Sequence, residues 1–144
     1  MIKVSDSIDI SSPCSEVFAF VSDLNNLPKW QSEVVQSTVV TPGPVKVGTR
    51  FDEVVKVGPW RLPTHCVVTQ YEPERLMAFK ADSSPIGFVA KVGLEQIKDK
   101  TRVTMDGTAS LRGFYRLMQF ALAGDLRKGV KQELKALKEI MGTR

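Results

Sequence analysis

The chain has 144 residues and a mass of 16.0 kDa, with 42% apolar and 25% charged residues and a formal net charge of +4. This profile is expected of one globular domain spanning residues 1–144, and it excludes disorder and fibrous repeats. No stretch approaches the roughly 18 apolar residues that a membrane-spanning helix needs. The opening Met1-Ile-Lys-Val-Ser-Asp6 has no apolar core of a signal peptide, so a cytoplasmic location is expected.

Two cysteines, Cys14 and Cys66, stand far apart and outside any metal-ligand spacing, as befits reduced thiols. One histidine, His65, is too few for most zinc sites or a histidine-pair mechanism. Gly-x-Ser-x-Gly, phosphate-cradling glycine loops and paired-carboxylate signatures are missing as well. Neither a metal nor a cofactor is expected. The charge is uneven: residues 112–144 hold eight cations against three anions, a net +5, which leaves −1 for the rest. Aromatic residues do not interleave with these lysines as a strand-binding groove requires, so nucleic acid is not an expected partner. Solvated cations along a terminal helix, opposing its dipole, are the simpler account.

Ile2, Val4, Ile8 and Ile10 alternate with polar residues and predict a first strand. Ser12-Pro13 reads as an N-cap followed by a first-turn proline, opening a helix to about Ser22. Asp23 is placed to cap a second short helix toward Trp30, kept brief by Pro28. Strand-like runs follow near Val34–Val40, Thr49–Val57, Arg61–Tyr71, Arg75–Ala81, Gly87–Ile97 and Thr101–Ser110. The links carry turn chemistry, such as Pro42-Gly43-Pro44, Gly58-Pro59 and Ser83-Ser84-Pro85, and are too short for anything but antiparallel neighbours. From about Phe114 to Met141, the apolar series Leu126, Val130, Leu134, Leu137, Met141 predicts a long amphipathic helix, with Gly124 and Gly129 as places for a bend. A lone sheet must have its apolar face covered, and this helix is the element large enough to do it. The expected fold is α+β, a curved antiparallel seven-stranded sheet wrapped around a long C-terminal helix, with two short helices after the first strand.

This order resembles the START-related superfamily, the polyketide cyclase/dehydrase and lipid-transport proteins. The likeness rests on Ile8-Asp-Ile-Ser-Ser-Pro-Cys-Ser-Glu-Val-Phe-Ala-Phe-Val-Ser-Asp23, on Asn26-Leu-Pro-Lys-Trp30, on Gly48 before a strand, on Tyr71-Glu72-Pro73 before Leu76, and on Leu111-Arg-Gly113 before the last helix. It implies a helix-grip fold enclosing a ligand cavity, with two hairpins acting as gate and latch. It leaves carrier, receptor and cyclase open, because function is decided by a site and not by a fold.

Alternation then assigns faces. Lys91 and Glu95 facing solvent would turn Phe88, Ala90, Val92 and Leu94 inward, and Val103, Met105, Gly107 and Ala109 would follow in the next strand. So many small inward residues in a curved sheet point to a cavity. Its mouth is expected where the turns at Gly58-Pro59-Trp60 and Ser83-Ser84-Pro85 meet the Arg112-Gly113 helix entry and the two short helices, with Trp60 at the rim or packed on a neighbour. Trp30 is expected to be a core anchor. Phe79, Phe88, Met105, Met118 and Leu122 are the expected apolar lining, and Glu53, His65, Tyr71 and Tyr115 the candidate polar anchors, with Arg112 for an anionic group. Alternation places Glu53 inward with Phe51 and Val55, but burying an unpaired carboxylate is costly, so the expectation leans to a β-bulge that turns it out. His65 shares a face with Val67, Thr69 and Tyr71 under strict alternation, and a lone histidine is more often structural than catalytic.

Three functions compete. The first is binding of a small apolar molecule; burying ~300 Å² of ligand gains roughly 7 kcal/mol, less at least ~4 kcal/mol for association, so tight binding needs a polar anchor. The second is polyketide cyclisation or dehydration, with His65 or Glu53 as base and Tyr115 or Arg112 as donor. The third is peripheral contact of the basic helix with an anionic membrane or an acidic partner. The residues favour the binder.

Overall fold

The computed structural model describes residues 2–57, 59–83, 86–111 and 119–142. They form β1 (Ile2–Ile10), α1 (Cys14–Val21), a single 3-10 turn (Leu24–Asn26), α2 (Leu27–Trp30), β2 (Val34–Val39), β3 (Arg50–Val57), β4 (Trp60–Glu72), β5 (Leu76–Ser83), β6 (Ile86–Ile97), β7 (Lys100–Leu111) and α3 (Gln119–Gly142). The expected elements are present near their predicted bounds, except that the expected start of the last helix at Phe114 lies outside the described residues. Asp23 caps the 3-10 turn, its carboxylate accepting the Asn25 backbone N–H at 3.1 Å. The cap of α1 differs from expectation. Pro13 itself occupies the N-cap without a side-chain bond, and the Ser12 carbonyl instead accepts from the Thr101 hydroxyl at 2.6 Å, tying the helix entry to β7.

The strands make one antiparallel sheet in the order β1-β7-β6-β5-β4-β3-β2. β1 and β2 are therefore opposite edges, and the segment holding α1 and α2 must carry the chain across. α3 packs on β1, β7 and α2. The core between these layers contains Leu24, Leu27, Phe51, Met77, Val103 and Leu137, each fully buried. Phe79 receives Phe51 and Phe88 edge-on, with centroids 5.1 Å and 6.1 Å away. Edge-to-face pairs of this kind add about 0.5–1.5 kcal/mol to the burial itself.

Register corrects the expected place of the two short helices, while Gly58, Ser84-Pro85 and Arg112-Gly113 of the expected mouth lie outside the described residues. Ile10 pairs with Thr101 at the start of β7, so α1 sets out from the end of the sheet opposite to the β7 exit. Val34 pairs with Val55 near the end of β3, so α2 arrives at the end carrying the β3–β4 and β5–β6 turns. The two short helices thus span the sheet instead of sharing one end, because an antiparallel β1 must finish where β7 begins.

Two irregularities matter for side-chain direction. The register shifts between Val34 and Gln36 in β2 and between Val68 and Gln70 in β4. The second inserts Thr69 as an extra residue, which resets alternation and turns Tyr71 against Phe18 of α1, centroids 5.5 Å apart. β3 keeps its alternation through Phe51, Glu53 and Val55, all buried, so no bulge turns Glu53 outward.

Candidate functional site

Between the sheet and α3 lies a cavity of about 130 Å³. Val55 of β3, Phe79 of β5, Phe88 of β6 and Met105 of β7 form its apolar wall, joined by Leu126 and Val130 of α3. Ala90, Gly107 and Ala109 also face it, and larger residues at these positions would fill it. The inward faces of β6 and β7 are thus those that alternation predicts.

Three glutamates reach the same cavity from different elements: Glu53 on β3, Glu33 just before β2, and Glu133 on α3. Glu53 is 2% exposed. Its Oε1 accepts from the Cys66 thiol at 3.6 Å, and its Oε2 has no partner among the described residues. The Thr64 hydroxyl, which could have served, instead donates to the Glu53 backbone carbonyl at 3.3 Å. Burial therefore raises the Glu53 carboxyl from 4.5 to about 7, against a smaller opposing effect of the Cys66 hydrogen bond. Burial, with the Glu53 charge next in line, also pushes the Cys66 thiol up, so this cysteine stays a protonated, unreactive donor.

Glu133 is 4% exposed and pushed well above the carboxylate range, first by burial, then by a hydrogen bond to Glu33 and by the Glu33 charge. A hydrogen bond from the Ser32 backbone pulls the other way without overcoming these. Glu133 therefore stays protonated at neutral pH, with the Glu33 carboxyl beside it. Gly129, one turn earlier on α3, makes the pairing feasible, since a Cβ there would fall on the Glu33 carboxyl. α3 is helical throughout Gln119–Gly142, so Gly129 serves this approach. Gly129→Ala is expected to leave the fold intact, because the displaced group is the flexible end of a side chain and alanine favours the helix by about 1 kcal/mol. What it removes is the Glu33–Glu133 bond. Carbon-13 NMR of the carboxyls should then find Glu133 titrating at lower pH, and an unchanged titration would contradict this account.

The sequence-derived candidates separate into three groups. Glu53, Phe79, Phe88 and Met105 line the cavity. His65, Tyr71 and Trp60 do not. His65 stands on the outer face of β4, its Nδ1 2.8 Å from Asp52 Oδ1 and its side chain 78% exposed. The proposal of His65 as a cavity base or anchor is therefore corrected: its neighbours Thr64 and Cys66 take the inward positions. Since exposed ion pairs contribute at most about 1 kcal/mol, His65→Ala is expected to leave stability and ligand binding essentially unchanged in parallel melts and titrations. Tyr71, released from the His65 face by the bulge, borders a separate cleft with Leu24 and Val45. Trp60 is 37% exposed at the start of β4. Arg112, Tyr115 and Met118 lie outside the described residues, as does the side chain of Leu122.

Glu33 and Glu133 escaped the sequence reading. Glu133 left a signal: it falls three residues after Val130 and four before Leu137, within the apolar stripe of α3. Glu33 left none, because its direction depends on how α2 meets β2.

A family model for polyketide cyclase / dehydrase and lipid transport proteins matches residues 1–142. The chain belongs to that family. No curated protein matches it closely in sequence. Among solved structures, TTHA0849 from Thermus thermophilus superposes with a TM-score of 0.81 at 19% identity, covering 98% of this chain and 97% of that one. A START superfamily protein from Mycobacterium smegmatis gives 0.77 at 14%, again covering 98% and 97%. The di-domain ARO/CYC StfQ of the steffimycin biosynthetic pathway gives 0.77 at 11%, covering 99% of this chain and 52% of StfQ, so this family member spans about half of that protein. At these identities the likeness establishes the helix-grip fold. No described helix is long and apolar enough to cross a membrane.

Proposed function

We propose that the protein binds a small apolar molecule in the cavity between the sheet and α3, with one polar group of the ligand set against Glu53. The observation that carries this reading is an apolar wall interrupted by Glu53, a buried carboxyl whose Oε2 has no partner among the described residues. An unsatisfied buried acceptor costs about 1–3 kcal/mol, which a ligand donor would recover on binding. Membership of a family described by lipid transport and polyketide cyclisation agrees with an apolar ligand. Native mass spectrometry of freshly purified protein, followed by solvent extraction, should reveal a stoichiometric apolar passenger. If the protein stays a bare apo mass and titrations with apolar probes produce no change at Phe79 or Met105, this reading is wrong.

One observation favours a second reading. A carboxyl raised to about 7 inside an apolar cavity is poised to exchange protons near neutrality, as cyclisation or dehydration of a poly-β-carbonyl chain requires. In that case Glu53 is the base, and His65, on the outer face, is not. Unchanged turnover of a β-carbonyl substrate in Glu53→Gln would dismiss it.

A further inference from the structure

We infer that the ligand is a cation: the three converging glutamates and the unpartnered Glu53 oxygen select a small apolar molecule bearing a protonated amine. This inference rests on the proposed binding function and deepens it by naming the polar group of the ligand. Glu33, Glu53 and Glu133 line the cavity from three separate elements, near enough for the Glu53 charge to act on Glu133. The Glu33 carboxyl lies against Gly129, one turn from Glu133 on α3, and Glu53 is 2% exposed with no partner for Oε2 among the described residues. Among the described residues, the other charged ones along the lining are Lys56 and Asp106, both exposed at the surface. Cys66, behind Glu53, supplies a weak thiol donor only.

The chemistry of these carboxyls discriminates between polar groups. A carboxylate-bearing ligand would bring a further anion to three carboxyls in a medium of low dielectric, where like charges repel most strongly. A hydroxyl would satisfy Oε2 but brings no charge to hold Glu53 in its ionised form. An ammonium offers three donors and an opposite charge, so it both answers the orphan oxygen and holds Glu53 in its ionised form. The apolar body is small. A cavity of about 130 Å³ is close to the engineered hole of about 150 Å³ that accepts benzene, which sets the scale at one ring or a short chain. Phe79, Phe88 and Met105 supply its walls.

Benzylamine, benzyl alcohol and benzoate share that body and differ in the polar group, and each can be titrated into the intact protein at neutral pH by NMR and calorimetry. Benzylamine is expected to bind at least tenfold more tightly than either of the others, with shifts at Phe79 and Met105. The protein's net charge of +4 by itself favours benzoate, so an amine preference cannot come from general attraction. In Glu53→Gln, the preference for benzylamine over benzyl alcohol should be lost, while an unchanged amide NMR spectrum away from the cavity shows that the fold is kept. The inference is overturned if benzoate or benzyl alcohol binds as tightly as benzylamine, or if the preference survives in Glu53→Gln. Binding of benzyl alcohol without an amine preference defeats this inference alone. Failure of all three probes to bind defeats the apolar-binding function with it.

Discussion

Truncating Trp30 to alanine is expected to destabilise the protein by about 3–5 kcal/mol, a large part of the 5–15 kcal/mol typical of a domain. Trp30 ends α2, a helix of four residues that begins with Leu27-Pro28. So short a helix has no stability of its own and exists because its side chains are buried. Trp30 is 2% exposed, and Leu24 and Leu27 beside it are fully buried. Its loss opens a void between α2, β2 and α3, the three elements that meet here. Gln31 and Glu33 follow directly, so the same anchor positions the Glu33 carboxyl in the cavity. Urea denaturation and thermal melts measure the effect, the latter as a fall in Tm on the order of 10 °C. Trp30→Phe separates size from polarity. The indole N–H is buried with no partner among the described residues, so phenylalanine gives up some contact but also removes an unsatisfied donor, and its cost should stay below about 1.5 kcal/mol. A loss under about 1 kcal/mol in Trp30→Ala would show that Trp30 is not the anchor of α2.

The second large effect is a stability that falls as pH rises through the neutral range. Glu53 titrates near 4.5 when unfolded and at about 7 in the fold. Between those values the folded state binds more protons than the unfolded one, so raising the pH favours unfolding. The contribution is fully present below pH 4.5, declines through the window and is lost above about 7. The gap between the two values corresponds to about 3 kcal/mol. Glu133, raised by burial and by Glu33, adds a slope of the same sign that extends further up the scale. Glu53→Gln should therefore match the wild type near pH 4 and exceed it by about 1–3 kcal/mol at pH 8, the gain being limited by the cost of burying an amide. Chemical denaturation at constant ionic strength across this range decides the matter. A wild type that gains stability from pH 5 to pH 8, or a Glu53→Gln variant with an unaltered slope, would mean that Glu53 is not held in the buried state seen here.

Much of the architecture can be read from local pattern because the responsible forces are local. Alternation of period two in residues 87–97 and 101–110 placed Ala90, Met105 and Ala109 on the inner face, where they are found. Asp23 announced its cap, and the short turns allowed only antiparallel neighbours. Pattern fails where a single backbone event changes the phase. The extra residue at Thr69 parts Tyr71 from the His65 face, and nothing in residues 60–72 marks its position. Glu53 shows the reverse failure. The cost of burying a carboxylate argued for a bulge, yet β3 runs on without one and the carboxyl bears the cost as a raised pKa.

The amino-acid sequence by itself determined the α+β class, the order of elements, the inward apolar faces and the family, since each follows from short-range periodicity or from residues at fixed spacing. The tertiary structure decided where the chemistry sits. Glu33, Glu53 and Glu133 lie as much as 100 residues apart along the chain, and their meeting depends on how α2 docks, on β3 keeping its phase, and on Gly129 letting a side chain approach the α3 backbone. Such long-range convergence leaves no local signature, because it is fixed by packing between elements and not within them.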